Sequence, residues 1–264
     1  MSLFIFVILI IVIILICYII YQNNNMYNIN NYINNVTNGT RNHIQENFTN
    51  IKEVGIYAIN MKFRSDKRKR MSDELEKHNL DGEFIDAIVG YNINIEKMTN
   101  NNLIDNKINR PLRRGEIGCY LSHIKAWESF LNSNNKYALI LEDDAVFIED
   151  FKEKLKNLLI EIDFPFDIIY LNENCENHFG EKCLYGYQRS ENLFSPGTVG
   201  YGLYGYLLSR RGATKLLNEA LPIERPIDDK IMIMYEEGEL VGYKLINPYI
   251  FVASITDSDT MNIK

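Results

Sequence analysis

The run YALILEDDAVF, residues 137–147, carries an apolar segment directly onto three consecutive acids, Glu142, Asp143 and Asp144. Like charges repel and burying them is costly, so their gathering at the end of an apolar run needs a reason. In an extended chain residues two apart share a face, which would bring Glu142 and Asp144 together and turn Asp143 the other way. Two carboxylates on one face suit a hard divalent cation, Mn2+ or Mg2+, bound through oxygen. Such a cation also takes phosphate oxygens and can neutralise a departing diphosphate. The spacing alone leaves both readings open, because an isolated E-x-D after a strand is more often a solvated loop start than a metal site. A nucleophile–base pair at Ser122 and His123 is disfavoured: adjacent residues of a helix diverge by ~100°.

The acids need elements to hold them, and the surrounding chain supplies alternating strands and helices. VGIYAIN (54–60) reads as a strand, and residues 65–79 as a charged helix with Ser65 as N-cap. FIDAIVG (84–90) reads as a second strand, and 91–113 as a polar excursion. In GEIGCYLSHIKAWESFLNS (115–133) the residues Ile117, Leu121, Ile124, Trp127 and Leu131 recur at spacings of three and four, an amphipathic helix. Gly115 and Gly118 would allow a tight entry to it. YALIL (137–141) is apolar on both faces, as a buried strand is. A helix follows at 150–161, then a strand at 166–172, a strand at 205–209 and a helix at 210–220. Residues 227–238 are predicted helical and 241–253 extended. This alternation predicts an α/β domain with a mostly parallel sheet, whose ligands would lie outside the carboxyl ends of the strands. FSPGTVGYGLYGYLLS (194–209) lacks the phosphate-loop lysine pattern. It reads as a loop whose tyrosines 201, 204 and 206 could offer faces to a sugar.

Residues 3–21, LFIFVILIIVIILICYIIY, contain no charge, Pro or Gly. As a helix the segment spans ~28 Å, close to the ~30 Å hydrocarbon core of a bilayer. No basic start or small-residue cleavage site is visible, so it reads as an uncleaved signal-anchor in residues 1–21. Residues 22–50 form an Asn-rich, low-complexity stem with sequons at Asn35, Asn38 and Asn47. The arrangement predicts a single-pass type II membrane protein with residues 51–264 as a lumenal or extracytoplasmic domain. The net charge of −7 and the lack of a basic stripe argue against nucleic acid as a partner. Hydrophobic residues at 46% are ample for a core. Of the four cysteines, Cys17 lies in the span and Cys119 reads as a small apolar packing residue. Cys175 and Cys183 are equally compatible with a disulfide and with two free thiols. No zinc-ligand spacing stands out.

Several motifs in order resemble glycosyltransferase family 25, the lipooligosaccharide and procollagen galactosyltransferase-like enzymes. GEIGCYLSH (115–123) followed by ILEDD (140–144) is similar to that family's GE-x-GC-x-x-SH and I-x-EDD. AINMKFRSDKRKRM (58–71) matches its first-strand motif at Asn60, Arg64 and Asp66, with Lys62 and Phe63 departing from it. YLLSRRGATKLL (206–217) and PIDD (226–229) resemble its later motifs. The resemblance covers roughly residues 53–240. It implies a GT-A-like fold, a Rossmann-like nucleotide-sugar half joined to an acceptor half. It further implies a UDP-sugar donor, a glycan or glycoprotein acceptor, a divalent metal (Mn2+ foremost, Mg2+ as substitute) and inversion at the anomeric carbon. On this reading Glu142 and Asp144 hold the metal, and Asn60, Arg64, Asp66, Ser122 and His123 serve the donor, with Lys67 in the same loop. Asp228 or Asp229 acts as the base, with Glu224 as a substitute. Asp228 can equally be a helix N-terminal charge favoured by the dipole, and Lys69 and Arg70 a solvated helix start. The competing functions are a catalytically inactive carbohydrate-binding protein of the same fold and a glycoside hydrolase. The hydrolase would need neither the basic loop nor a metal.

Overall fold

The computed structural model describes residues 51–105, 110–172 and 186–252. The expected span 3–21, the stem and the Cys175–Cys183 pair lie outside them. Among the described residues no helix is long and apolar enough to cross a membrane.

Strand β1 (Val54–Asn60) is buried almost throughout and leads through a short turn into helix α1 (Ser65–Lys77). Ser65 is the first helical residue here rather than the N-cap; Arg64 takes the cap position without a side-chain bond. Strand β2 (Glu83–Asp86) is shorter than the expected 84–90, because the chain leaves the sheet before a 3-10 turn at Gly90–Asn92. The polar excursion holds the short helix α2 (Ile95–Asn100), N-capped by Asn94, whose side chain accepts from the Lys97 N–H at 2.9 Å.

Helix α3 (Arg114–Asn132) buries Ile117, Tyr120, Ala126, Trp127 and Phe130 against one face of the sheet. Strands β3 (Tyr137–Glu142) and β4 (Ala145–Phe147) follow, then helix α4 (Phe151–Glu161) and strand β5 (Ile168–Tyr170). The short strands β6 (Tyr187–Gln188) and β7 (Leu193–Ser195) precede β8 (Gly205–Ser209) and helix α5 (Arg210–Asn218). Helix α6 (Ile227–Glu236) and strands β9 (Gly242–Leu245) and β10 (Ile250–Val252) complete the described chain.

Eight strands form one sheet in the order β2-β1-β3-β8-β5-β9-β7-β6, and β4 pairs with β10 alone. Strands β2, β1, β3, β5 and β9 run in one direction, while β8 lies antiparallel between β3 and β5. β7 is antiparallel to β9, and β6 pairs with β7 at the far edge. The sheet is thus mostly parallel in strand direction, as expected, with an antiparallel strand at its centre that the alternation of elements did not reveal. Ala138 and Ile140 join the core cluster under α3, α5 and α6, and alternation sends the equally buried Leu139 and Leu141 to the opposite face. Asp167, at the start of β5, accepts from Arg211 Nε at 2.6 Å, Lys215 Nζ at 2.8 Å and the Val241 N–H at 2.8 Å. One buried carboxylate therefore ties α5 and the entry to β9 onto β5.

Candidate active site

The carboxyl ends of β1 and β3 meet the first turns of α3 around a cleft of about 590 Å3, counted to its open mouth. Its lining includes Asn60, Lys67, Cys119, Ser122, His123 and the whole acidic triplet. Strand β3 ends at Glu142, and Asp143 and Asp144 form a turn. The pleat therefore does not continue through the triplet, and all three residues line the cleft.

Asp143 has a definite job. It is 8% exposed and accepts from Asn60 Nδ2 at 2.7 Å, and its second oxygen lies 3.5 Å from Lys67 Nζ. The Arg70 guanidinium donates to the Asp143 carbonyl at 3.0 Å. Two residues of α1, one of them read from sequence as solvated, thus clamp the turn. Lys67 is 1% exposed and is the positive charge paired with the Asp143 carboxylate.

Lys67 and the Arg70 guanidinium both engage Asp143 and do not balance all three acids. Asp144 Oδ1 is buried without a hydrogen-bond partner among the described residues. Burial, and then the neighbouring Glu142, push the Asp144 carboxyl up to about 7. An orphaned buried oxygen beside a second carboxylate, in an open cleft, fits a hard divalent cation held by Glu142 and Asp144.

Helix α3 supplies the rest of the cleft wall. Glu116 fixes its N-terminus by accepting from the Arg113 N–H at 2.7 Å and from the Arg110 fork at 2.7 and 2.8 Å. Burial alone would raise the Glu116 carboxyl, but the bonds from Arg110 and Arg113 prevail and hold it at about 2. Gly118 matters through packing more than through helix entry. A Cβ there would meet the Ile88 carbonyl at 2.6 Å and the Gly90 nitrogen at 3.0 Å, so the 88–90 segment lies directly on the helix. Ser122 Oγ completes that contact, accepting from the Ile88 N–H at 2.8 Å and donating to the Gly118 carbonyl at 2.6 Å.

His123 is fully buried between Tyr206 and Glu142. Its Nδ1 lies 2.9 Å from Tyr206 Oη and its Nε2 3.4 Å from Glu142 Oε1. Trp127 is core, as expected, but its indole also donates to Tyr206 Oη at 2.8 Å. Cys119 is not merely packing: its Sγ lies 4.0 Å from Glu142 Oε1 and borders the cleft. The signal was present in the sequence, since Cys119 and His123 stand four apart on one helix and share a face.

The remaining expected site residues sit apart from this lining. Arg64 donates to Asp66 through Nε at 3.0 Å and Nη2 at 2.8 Å, an exposed fork beside the cleft. Asp228 and Asp229 occupy the first turn of α6, and the Asp228 carboxylate accepts from the Asp229 N–H at 3.1 Å. Burial, then Asp229, push Asp228 up, while the Gly202 N–H opposes the rise. Asp228 still belongs to the same field: burial, then Glu142, Asp228, Asp144 and Glu116, push the Cys119 thiol up. The glycine-rich segment that reaches Asp228 uses left-handed backbone at Gly200 (φ 73°) and Gly202 (φ 85°). Asn172 Nδ2 donates to the Gly202 carbonyl at 2.7 Å, and the buried Lys244 Nζ lies 3.4 Å from the Val199 carbonyl. Tyr204 and Tyr206 are buried, so their faces are not open to a sugar, contrary to the expectation for this segment.

Residues 53–231 match the profile of glycosyltransferase family 25 (LPS biosynthesis protein). The chain belongs to glycosyltransferase family 25. It is 33% identical over 205 residues to procollagen galactosyltransferase 1-B of Xenopus laevis, covering 71% of this chain and 32% of that protein. Human procollagen galactosyltransferase 2 is 31% identical over 201 residues, covering 72% and 31%. A Bos taurus relative named probable inactive glycosyltransferase 25 family member 3 is 30% identical over 200 residues, covering 72% and 33%. The chain spans about a third of the length of these relatives.

Proposed function

We propose that this family 25 chain is a membrane-anchored glycosyltransferase with a GT-A-like fold. It would move a hexose from a nucleotide-sugar, a UDP-hexose foremost, to a glycan or glycoprotein acceptor, with inversion. The observation that carries the reading is the charge deficit at Asp144, an orphaned carboxylate oxygen beside Glu142 at the carboxyl ends of β1 and β3. Family membership alone is insufficient, since a relative named probable inactive matches at 30% identity.

Glu142 and Asp144 would hold the cation, Mn2+ foremost and Mg2+ as substitute. Bound there, it supplies charge neutralisation for the diphosphate that leaves. Asn60, Ser122 and His123 line the cleft that receives the donor, with the Arg64–Asp66 fork at its margin. In a single displacement the acceptor oxygen forms its bond to the anomeric carbon as the bond to the phosphate oxygen breaks. The electron pair leaves with the diphosphate, and the acceptor proton passes to Asp228. A carboxylate whose proton affinity is raised by burial and by Asp229 suits that task. Asp229 and Glu224 are its substitutes. Residues 3–21 would anchor the chain as a type II protein, leaving the catalytic domain lumenal.

A donor screen tests the proposal. Full-length protein in detergent is offered nucleotide-sugars with and without Mn2+, and nucleoside diphosphate release is followed. Metal-dependent release with a hexose donor is expected, and Asp144→Ala nearly abolishes it. No metal-dependent turnover with any nucleotide-sugar defeats the reading in favour of a non-catalytic sugar-binding protein.

A further inference from the structure

Cys119, His123 and Glu142 place a thiol sulfur, an imidazole nitrogen and a carboxylate oxygen within 4.8 Å of one another. His123 Nε2 lies 3.4 Å from Glu142 Oε1, and Cys119 Sγ lies 4.0 Å from the same oxygen. Around a tetrahedral Zn2+, bond lengths of ~2.0–2.3 Å put neighbouring ligand atoms ~3.3–3.8 Å apart. Closing the triad on such an ion takes side-chain shifts of up to about an ångström. All three residues border the open cleft, so an ion has a way in and a fourth position remains for water or an incoming ligand.

The surroundings of His123 are what a metal ligand requires. A ligating histidine presents one nitrogen lone pair and donates its other N–H to a fixed oxygen. Here Nδ1 faces Tyr206 Oη at 2.9 Å, and that hydroxyl is itself oriented by the Trp127 indole at 2.8 Å. The indole N–H can only donate, so it fills one lone pair of the tyrosine oxygen; the hydroxyl can then either donate to Nδ1 or accept from Nδ1–H through its other lone pair. In the tautomer that donates from Nδ1–H, the one metal binding would select, Nε2 carries a lone pair on the side of Glu142 and Cys119. Thiolate and imidazole are ligands for a borderline-soft cation, unlike the oxygen-only pair of Glu142 and Asp144.

We propose that Cys119, His123 and Glu142 form a three-ligand Zn2+ site, oriented by Tyr206 and Trp127, that shares Glu142 with the carboxylate pair and so competes with a hard cation there. On binding, the sulfur–zinc bond forms as the thiol proton leaves to solvent. The site goes beyond the transferase reading and does not depend on it.

The test uses full-length protein in detergent, stripped with EDTA and titrated with Co2+. One equivalent should produce the intense visible bands of four-coordinate cobalt and a near-ultraviolet thiolate-to-cobalt charge-transfer band, both bleached by Zn2+. Cys119→Ser should remove the charge-transfer band, and Tyr206→Phe should weaken Co2+ binding by about 10–100-fold. X-ray absorption of the Zn2+-loaded wild-type protein, which needs no variant, should give one sulfur at about 2.3 Å with nitrogen and oxygen at about 2.0 Å. No charge-transfer band at millimolar Co2+, a band that survives Cys119→Ser, or a sulfur-free zinc shell overturns the proposal. Mn2+-dependent donor turnover is sensitive to Asp144 and gives no such band, so either idea can fail while the other stands.

Discussion

Replacing Asp144 with Asn should stabilise the metal-free protein while removing the cation. In the folded state burial, and then Glu142, push the Asp144 carboxyl from 3.8 to about 7. At ~1.4 kcal/mol per pKa unit, keeping it ionised above pH 7 costs up to ~4 kcal/mol. Partial solvent access and the sharing of that charge with Glu142 reduce the figure to roughly 2 kcal/mol. Between pH 3.8 and about 7 the folded state keeps a proton that the unfolded chain has released, so stability falls as pH rises through this window and levels above it. The assay is urea unfolding of full-length protein in detergent with EDTA, from pH 4 to pH 8. Asp144→Asn should exceed wild type by about 2 kcal/mol at pH 8 and match it near pH 4. Mn2+ in place of EDTA should close the gap by stabilising wild type alone. A variant no more stable than wild type at pH 8 in EDTA would mean that the protein already compensates Asp144, and the argument for a cation would collapse.

Other perturbations separate the clamp from the site. Asp143→Ala should lower unfolding stability by about 3 kcal/mol in EDTA, because it takes from buried Lys67 a 3.5 Å ion-pair partner and from Asn60 the shorter of its two acceptors. Gly118→Ala should cost about 2 kcal/mol, seen as a lower melting temperature, because the new Cβ meets the Ile88 carbonyl at 2.6 Å. Glu116→Gln should lose the stability that wild type keeps above pH 4.5, and the difference should shrink as the wild-type carboxyl protonates toward about 2. Burial pulls Lys244 down to about 7 from 10.5, so the unfolded chain holds a proton that the folded state sheds between these values. Wild-type stability should therefore rise with pH across that window, and Lys244→Met should abolish the rise in urea-unfolding series.

What the sequence exposed and what it hid divide along physical lines. The doubly apolar run at 137–141 and the three-and-four spacing in 115–133 announced β3 and α3, since burial on those periods leaves little choice of element. Their motifs also brought Asn60, Ser122, His123 and Glu142 to one cleft. The division of labour within the acid triplet was not legible. It depends on β3 stopping at Glu142, a matter of β4 leaving to pair with β10, and pairing partners distant in sequence leave no local periodicity. The role of Arg70 was hidden for a similar reason, because a basic residue in a charged helix looks solvated until its long-range acceptor, the Asp143 carbonyl, is known. Cys119 looks like packing because a lone cysteine on an amphipathic helix is chemically small and apolar, and its informative partner is a histidine one helical turn away.

The place of β8 in the sheet also sets a timetable for making the protein. β3 and β5 both precede it in the chain, yet each uses β8 as a neighbour in the finished sheet. Until residues 205–209 emerge from the ribosome, the apolar run 137–141 keeps an unsealed edge, a template for pairing with other chains. The cleft between β1, β3 and α3 can take shape during that wait, whereas the fully buried Tyr206 that braces His123 arrives with the sealing strand itself. Nascent chains halted before that point would carry the acids without the brace, and they are the species on which chaperone dependence should be strongest.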